Sequence, residues 1–285
     1  MASTREIKRR IRGINSILQI TKAMELVSTA KLRRARIRLA KTKPYFQTVV
    51  DDIQEILTIV DDNHPLLSRE KRDAVLYIVL TSDKGLAGGY NANVLRLTEK
   101  AIKEDGLPSK LMVVGTKAKD YFERRNYDIA ESYTGLSEDP EYSDARELAA
   151  AAMDLYESGE VDAIRIIYTR FISTISYDAQ VVSILPSDEL KANEDRTTAH
   201  TQIEFEPSPM AVLDDLIPMY VVTTIFGALI EAAASEQGSR RVAMENASDN
   251  AHDMIDELQT NYNRARQAAI TNEITEIVSA ADAVQ

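Results

Sequence analysis

MYVVTTIFGALIEAAASEQGSRRVAMENASDNAHDMIDELQTNYNRARQAAITNEITEIVSAADAV, residues 219–284, decides the fold of this chain. These 66 residues hold no proline and only two glycines, Gly227 and Gly238. As one continuous helix they would extend roughly 100 Å at ~1.5 Å per residue, too far to be buried in a globular domain of ordinary size. From Met244 the apolar or small residues fall at Ala247, Ala251, Met254, Leu258, Tyr262, Ala265 and Ala269, then at Ile270, Ile274, Ile277, Ala281 and Val284. Steps of three and four are the period that keeps one seam of a helix facing a partner helix. Alanine at five of these positions lets the partner approach closely while each layer buries little area. The seam specifies a slender coiled coil.

The other end of the chain supplies a candidate partner. Ser3 and Glu6 form a capping box for a first helix, with apolar residues at Ile7, Ile11, Ile14 and Leu18 and a second register through Ile17, Ile20, Met24 and Val27. Pro44 requires a kink or break. Val49, Ile53, Ile56, Leu57 and Val60 then resume the pattern, so this helix reaches about residue 60. Each terminal segment carries a stripe that needs burial, and pairing them with each other is the economical solution.

Between them the texture changes. Asp61 to Pro65 marks a loop. Ala74–Thr81 (AVLYIVLT) is a short β-branched run of the kind found in strands buried on both faces. A glycine-rich turn, SDKGLAGGYN, leads to a helix over 92–103. A second strand at Leu111–Val114 is followed by a helix over 117–125. An alanine-rich helix over 143–158, a third parallel-type strand at Ala163–Tyr168 and a further strand at Tyr177–Leu185 complete the set. This alternation predicts a small α/β sandwich. Residues 187–202 are polar and turn-rich and read as a mobile loop. Ser208-Pro209 suits the N-cap and first turn of the last helix, which Pro218 should bend or interrupt. The predicted class is α plus α/β: a long antiparallel coiled coil of the terminal helices (1–60 and 208–285) with a Rossmann-like domain (66–206) inserted between them.

Composition bounds the function. No cysteine is present, which excludes disulfides and thiolate chemistry. No run of about 18 apolar residues spans a membrane, and MASTREIKRR lacks the apolar segment of a secretory signal. The net charge of −11 hides a strong polarity: 13 basic residues stand against two acidic ones between Arg5 and Lys43, leaving −22 on the rest. A nucleic-acid arm or anionic-membrane helix, a solvated face, and a surface turned toward an acidic protein or the chain's own acidic remainder all fit that pattern.

No active site is legible. The turn Gly85–Tyr90 resembles a phosphate cradle but matches neither GxxxxGK[ST] nor GxGxxG, so it reads as a structural strand-to-helix turn. His64, His200 and His252 lack metal-ligand spacing. Ser82-Asp83 has no histidine base nearby. Neither a catalytic residue nor a cofactor or metal site is predicted.

Four blocks carry a resemblance: QITKAMELVSTAKLRRA (Gln19–Ala35), TSDKGLAGGYNANV (Thr81–Val94), ASEQGSRRVAMENASDNA (Ala234–Ala251) and YNRARQAAITNEITEIVSAADAV (Tyr262–Val284). In this order they resemble the gamma-subunit family of bacterial F-type ATP synthases, over essentially the whole chain. The resemblance implies a non-catalytic rotor shaft with no cofactor of its own. Its partners would be three alpha and three beta subunits around one copy, the epsilon subunit and the membrane c-ring, with no nucleic acid and only indirect contact with the membrane. It implies a place on the cytoplasmic face of a bacterial plasma membrane. It further implies that Arg266 and Gln267 bind a beta-subunit loop, and that Met24 faces the beta subunit's acidic lever segment, coupled to Arg266, Gln267, Thr271 and Glu273. The basic run Lys31, Arg33, Arg34 and Arg36 would face acidic beta-subunit surface, and Phe205, Glu206 and Pro207 would meet the c-ring loops. The chain lacks the cysteine-bearing regulatory insertion of the chloroplast members and a mitochondrial presequence. Two readings from other classes stand beside this one: a stand-alone coiled-coil tether or membrane-surface protein, and a Rossmann-type enzyme with helical extensions.

Overall fold

The structure is a computed structural model that describes residues 4–57, 66–67, 73–187, 190 and 205–282. Ser3 of the capping box, His64 in the first loop, most of the stretch 187–202 with His200, and Val284 lie outside the described residues. Ten elements follow in order: α1 (Thr4–Leu57), β1 (Val75–Leu80), α2 (Tyr90–Asp105), β2 (Ser109–Val114), α3 (Thr116–Glu123), β3 (Ile129–Tyr133), α4 (Tyr142–Glu157), β4 (Ala163–Phe171), β5 (Tyr177–Leu185) and α5 (Pro209–Asp282).

The strands form one sheet in the order β3-β2-β1-β4-β5, parallel except for β5, which closes an antiparallel pair with β4. β1 sits at the centre and all six of its side chains are buried. Their alternation separates two cores. Leu76, Ile78 and Leu80 face a cluster with α4, the inner part of α1 and α5, whereas Val75, Tyr77 and Val79 face α2 and α3 through Val94, Ala118 and Phe122. Each fully buried Ile or Leu contributes roughly 1.5–3 kcal/mol to this arrangement. Strand β3 was not among the predicted strands. Its sequence, IAESY, lacks apolar alternation, and as an edge strand it half-buries only its ends, Ile129 and Tyr133.

The chain divides into two compact units, residues 29–240 and residues 1–28 with 241–285. In the first, α5 is buried on nearly every side: Tyr220, Val221, Ile225, Leu229, Ala232, Ala233, Ala234 and Ser235 are all at or below 5% exposure. A helix apolar all round belongs inside a core. Within Pro209–Ser279 a window reaches a mean hydropathy of 1.7, enough by length and composition to cross a bilayer, although 61% of it is buried in the molecule itself. That corrects the reading that no segment is apolar enough to span. Pro44 and Pro218 lie inside unbroken helices. The Tyr45 hydroxyl meets the Met219 sulfur at 3.3 Å, which sets the two prolines at the same level of the pair. At the start of α5 the Ser208 hydroxyl accepts the Ala211 amide at 3.3 Å, as its capping role requires.

The second unit is a two-helix hairpin. α1 leaves it at Ser28 and α5 enters it at Arg241, so the two pieces are antiparallel. Ile7, Thr21 and Ser28 are the buried positions of α1, with Ile11, Ile14, Leu18, Met24 and Glu25 half-buried, and Met244, Ser248 and Ala251 are those of α5. This seam differs from the predicted one in two places. Ile17, Ile20 and Val27, the second apolar register, are 54%, 60% and 55% exposed. On α5, Met254 is 55% exposed while Ile255 turns inward. The seam is partly polar where hydrophobicity gave no cue: Ser248 donates to Thr21 Oγ1 at 2.8 Å.

Two glycines separate packing from propensity. Gly115 has φ +94°, and a Cβ there would lie 2.3 Å from the Thr81 carbonyl oxygen. Gly13 is mid-helix with nothing within 4 Å of a Cβ. Gly115→Ala should therefore destabilise the full chain by about 2 kcal/mol or more, combining strain with a backbone clash. Gly13→Ala should stabilise it by about 0.5–1 kcal/mol through helix propensity alone. Denaturant unfolding of both variants checks the opposite signs.

Candidate partner interface

The glycine turn after β1 sits at the carboxyl end of the parallel strands, where open α/β sheets commonly bind anions at a helix start. Here it binds its own helix. The guanidinium of Arg240, 5% exposed, donates to the carbonyls of Gly85 at 3.3 Å and Lys84 at 3.4 Å and to Glu236 Oε1 at 2.7 Å. Ser239 donates to the Ala87 carbonyl at 2.7 Å, and Tyr90 donates to the Ala232 carbonyl at 3.2 Å. The turn thus presents carbonyl oxygens to a buried cation, the opposite polarity to a phosphate cradle. It is the structural turn that its incomplete motif suggested.

Asp83 organises the neighbouring loops. Burial alone would raise its carboxyl, but donation from the Gly135 amide, the Ser137 hydroxyl and the Thr116 amide and hydroxyl holds it below the usual range. Leu86 at the tip has φ +64° and is 63% exposed. A left-handed, outward leucine is costly in water, and sequence inspection did not single it out. Glu236 is pushed up to about 7 by burial, with Arg240 opposing, and its Oε2 has no partner among the described residues.

The basic segment is partly neutralised within the chain. Lys31 reaches Glu138 at 2.7 Å, Lys84 reaches the same carboxylate at 2.9 Å, and Arg38 bonds Asp139 and, at 2.6 Å, the Pro140 carbonyl. Lys31 chiefly, against a smaller effect of burial, holds the Glu138 carboxyl below its ordinary range. Arg33, Arg34 and Arg36 form no ion pair with another described residue and remain available. Among the described residues no group of three or more His, Cys, Asp or Glu could hold a metal ion; His252 is exposed on α5.

On the hairpin, Arg266, Gln267, Thr271 and Glu273 are all exposed. With Thr21 opposite Ser248, antiparallel register places the first turn of α1 near residue 265 of α5. Beyond it Ile270, Ile274, Ile277 and Val278 are 48%, 56%, 65% and 52% exposed. Among the described residues, the predicted seam positions Ala269, Ile270, Ile274 and Ile277 therefore have no helix across from them; the side chain of Ala281 lies outside the described set. Met24 is half-buried and lies opposite residues near Glu245. That level is about 30 Å along α5 from Arg266, so the structure does not bring Met24 together with Arg266, Gln267, Thr271 and Glu273. Within the 29–240 unit, Phe205 packs on the core cluster, leaving Glu206 and Pro207 exposed.

The described residues thus form a helical hairpin with an exposed apolar tip and a Rossmann-like domain whose glycine turn is tied to Arg240. A family model described as "ATP synthase" matches residues 3–284. The "ATP synthase gamma chain" of Alkaliphilus metalliredigens is 46% identical, covering 98% of this chain and 98% of the relative; that of Moorella thermoacetica is 43% identical over 100% of both. Among solved structures, a chain from the central stalk and c-ring of the Tetrahymena thermophila mitochondrial ATP synthase superposes with a TM-score of 0.64 at 26% identity, covering 80% of this chain and 99% of that one. The chain belongs to the ATP synthase gamma-chain family.

The Glu236 carboxyl supplies a pH test. Its folded-state value lies above its ordinary one, so its contribution is fully present below about 4.5 and is lost as pH rises through about 7. Glu236→Gln should flatten the fall in denaturation midpoint between those pH values, whereas Arg240→Ala should cost about 3 kcal/mol or more by leaving Glu236 and the Gly85 and Lys84 carbonyls without their buried donor. An unchanged slope in Glu236→Gln would show that another group controls it.

Proposed function

We propose that this chain is the central rotor shaft of an ATP synthase, coupling c-ring rotation to the beta-subunit catalytic sites during ATP synthesis or hydrolysis. The observation that carries it is the overhang of α5, where Ile270, Ile274, Ile277 and Val278 stand exposed with no helix across from them among the described residues. So much apolar surface on a single helix needs an enclosing partner. Family membership supplies that partner as a ring of three alpha and three beta subunits. The shaft is asymmetric, so each beta subunit meets a different face and is held in a different conformation; turning the shaft changes which conformation each site favours. Coupling then arises from differential contacts with the states of a partner. The ATP chemistry belongs to that partner, and the chain itself is non-catalytic.

Arg266 and Gln267 take the beta-subunit loop, the guanidinium fork matching carboxylate or carbonyl acceptors. Thr271 and Glu273 lie on the same exposed segment. Met24 meets the beta subunit separately, at its own level, together with the exposed Ile17, Ile20 and Val27 beside it. Arg33, Arg34 and Arg36 face acidic partner surface, an attraction weakened by salt. Glu206 and Pro207 contact the c-ring loops with Phe205 as their anchor, and the epsilon subunit binds this same end. The bacterial relatives support a place on the cytoplasmic face of the plasma membrane.

Co-expression with the alpha and beta subunits tests the reading. A complex with one copy of this chain per three of each, whose ATPase turnover depends on it, is expected. A chain that binds vesicles or nucleotide by itself and assembles with neither subunit would overturn it. Within the assembled complex, replacing Arg266 and Gln267 with Ala should reduce turnover about tenfold, as loss of a charge-assisted pair does, while removing Ala280–Gln285 should change it less. Met24→Lys should impair proton pumping per ATP while leaving the unfolding midpoint near wild type.

A further inference from the structure

The 29–240 unit holds a cavity of about 520 Å³ between α1, the β4–β5 pair and α5, and none of the residues given a partner above lines it. Its volume lies in the range of small-molecule sites. Two exposed cations from different elements line it, Lys43 of α1 and Arg170 of β4. Neither forms an ion pair with another described residue. Leu39, Phe46, Phe171 and Val182, all half-buried, supply apolar wall beside them.

The carboxyl of the cavity does not neutralise these cations. Glu231 of α5 accepts from the Tyr168 hydroxyl and the Phe171 amide, and burial pushes it up toward its neutral form against the opposing pull of Arg170 and Lys43. Its Oε2 is buried without a hydrogen-bond partner, so neither cation bonds that oxygen. Asp178 stands across from Arg170 on β5 but does not line the cavity and makes no ion pair with it. Positive charge is therefore in excess at an opening whose wall is apolar. That combination suits an anion with an apolar body.

Gly227 keeps the α5 wall open. It lies mid-helix, where glycine is less favourable than alanine, and a Cβ there would meet nothing within 4 Å, so packing within the chain does not demand the glycine. We infer that this cavity binds a small organic acid, its carboxylate on Lys43 and Arg170 and its apolar body against Leu39, Phe46 and Val182. The guanidinium fork matches the two carboxylate oxygens, and Lys43 adds a point charge from the other side. The bound acid links α1 to β4 through these two cations.

Three probes that share one body and differ in the charge of the head test it on the full chain by equilibrium dialysis near neutral pH: 3-phenylpropanoate, 3-phenylpropanol and 3-phenylpropylamine. Saturable binding is expected in that order, the acid tighter than the alcohol by about tenfold, as a charge-assisted hydrogen bond allows. Arg170→Ala should weaken the acid about fivefold or more and leave the alcohol unchanged. Glu231→Gln should bind the acid at least as tightly as wild type, because the carboxyl is not its anchor. Gly227→Leu should fill the cavity, weaken the acid at least about tenfold and leave the melting temperature equal or higher. No saturable binding of the acid by the wild-type chain at about 10 mM, weaker than any useful site, would overturn the inference. Alcohol or amine bound as tightly as the acid, or unaltered binding by a folded Gly227→Leu chain, would do the same.

Discussion

One buried guanidinium, that of Arg240, fixes the point at which helix α5 changes environment. Before it, α5 is enclosed by the sheet and α1; after it, the helix needs only a single inward stripe. Burying an arginine and a glutamate together is expensive unless their remaining donors and acceptors are matched. The carbonyls of Gly85 and Lys84 match the remaining donors of the guanidinium, while Glu236 Oε2 is left without a partner among the described residues, and in doing so they commit the turn after the central strand to a structural task. A loop that elsewhere in α/β proteins would hold a phosphate here locks a sheet to a helix.

The hairpin follows a different logic. Its seam uses Thr21, Glu25, Ser28 and Ser248 among small and apolar residues, with the Ser248–Thr21 hydrogen bond setting register. Polar seam positions of this kind specify alignment at some cost in stability. The apolar residues that would have strengthened the pair, Ile17, Ile20, Val27 and those beyond Ala265, stand outside it. Their exposure is intelligible for a gamma chain, which keeps its strongest adhesive surface for the subunits around it and only a thin seam for itself.

Much of this was legible in the sequence because period and length are strong signals. The two terminal helices, their pairing, β1, β5 and the helix starts at Ser208 and near Tyr142 follow from apolar spacing and turn residues. The seam was harder. Two apolar registers on α1 look alike in hydropathy, and only packing shows that Thr21 and Ser28, not Ile20 and Val27, face the partner helix. Met254 and Ile255 present the same ambiguity. β3 escaped because an exposed edge strand needs little hydrophobic alternation, and the prolines misled because long helices packed along their length retain helical geometry across a missing hydrogen bond. The partner contacts were readable only through resemblance, since Arg266 and Gln267 look like any solvated pair until the overhang of α5 is seen.

The absence of cysteine makes the central claim directly measurable, because a single introduced thiol is unique in the chain. With Ile274→Cys, the rate of maleimide labelling can be compared between the free chain and its complex with alpha and beta subunits. An enclosed shaft tip predicts rapid labelling of the free chain and protection of about tenfold or more on assembly, as burial in a packed interface requires. Equal rates in a verified complex would contradict the account, leaving the apolar overhang without the partner that explains it.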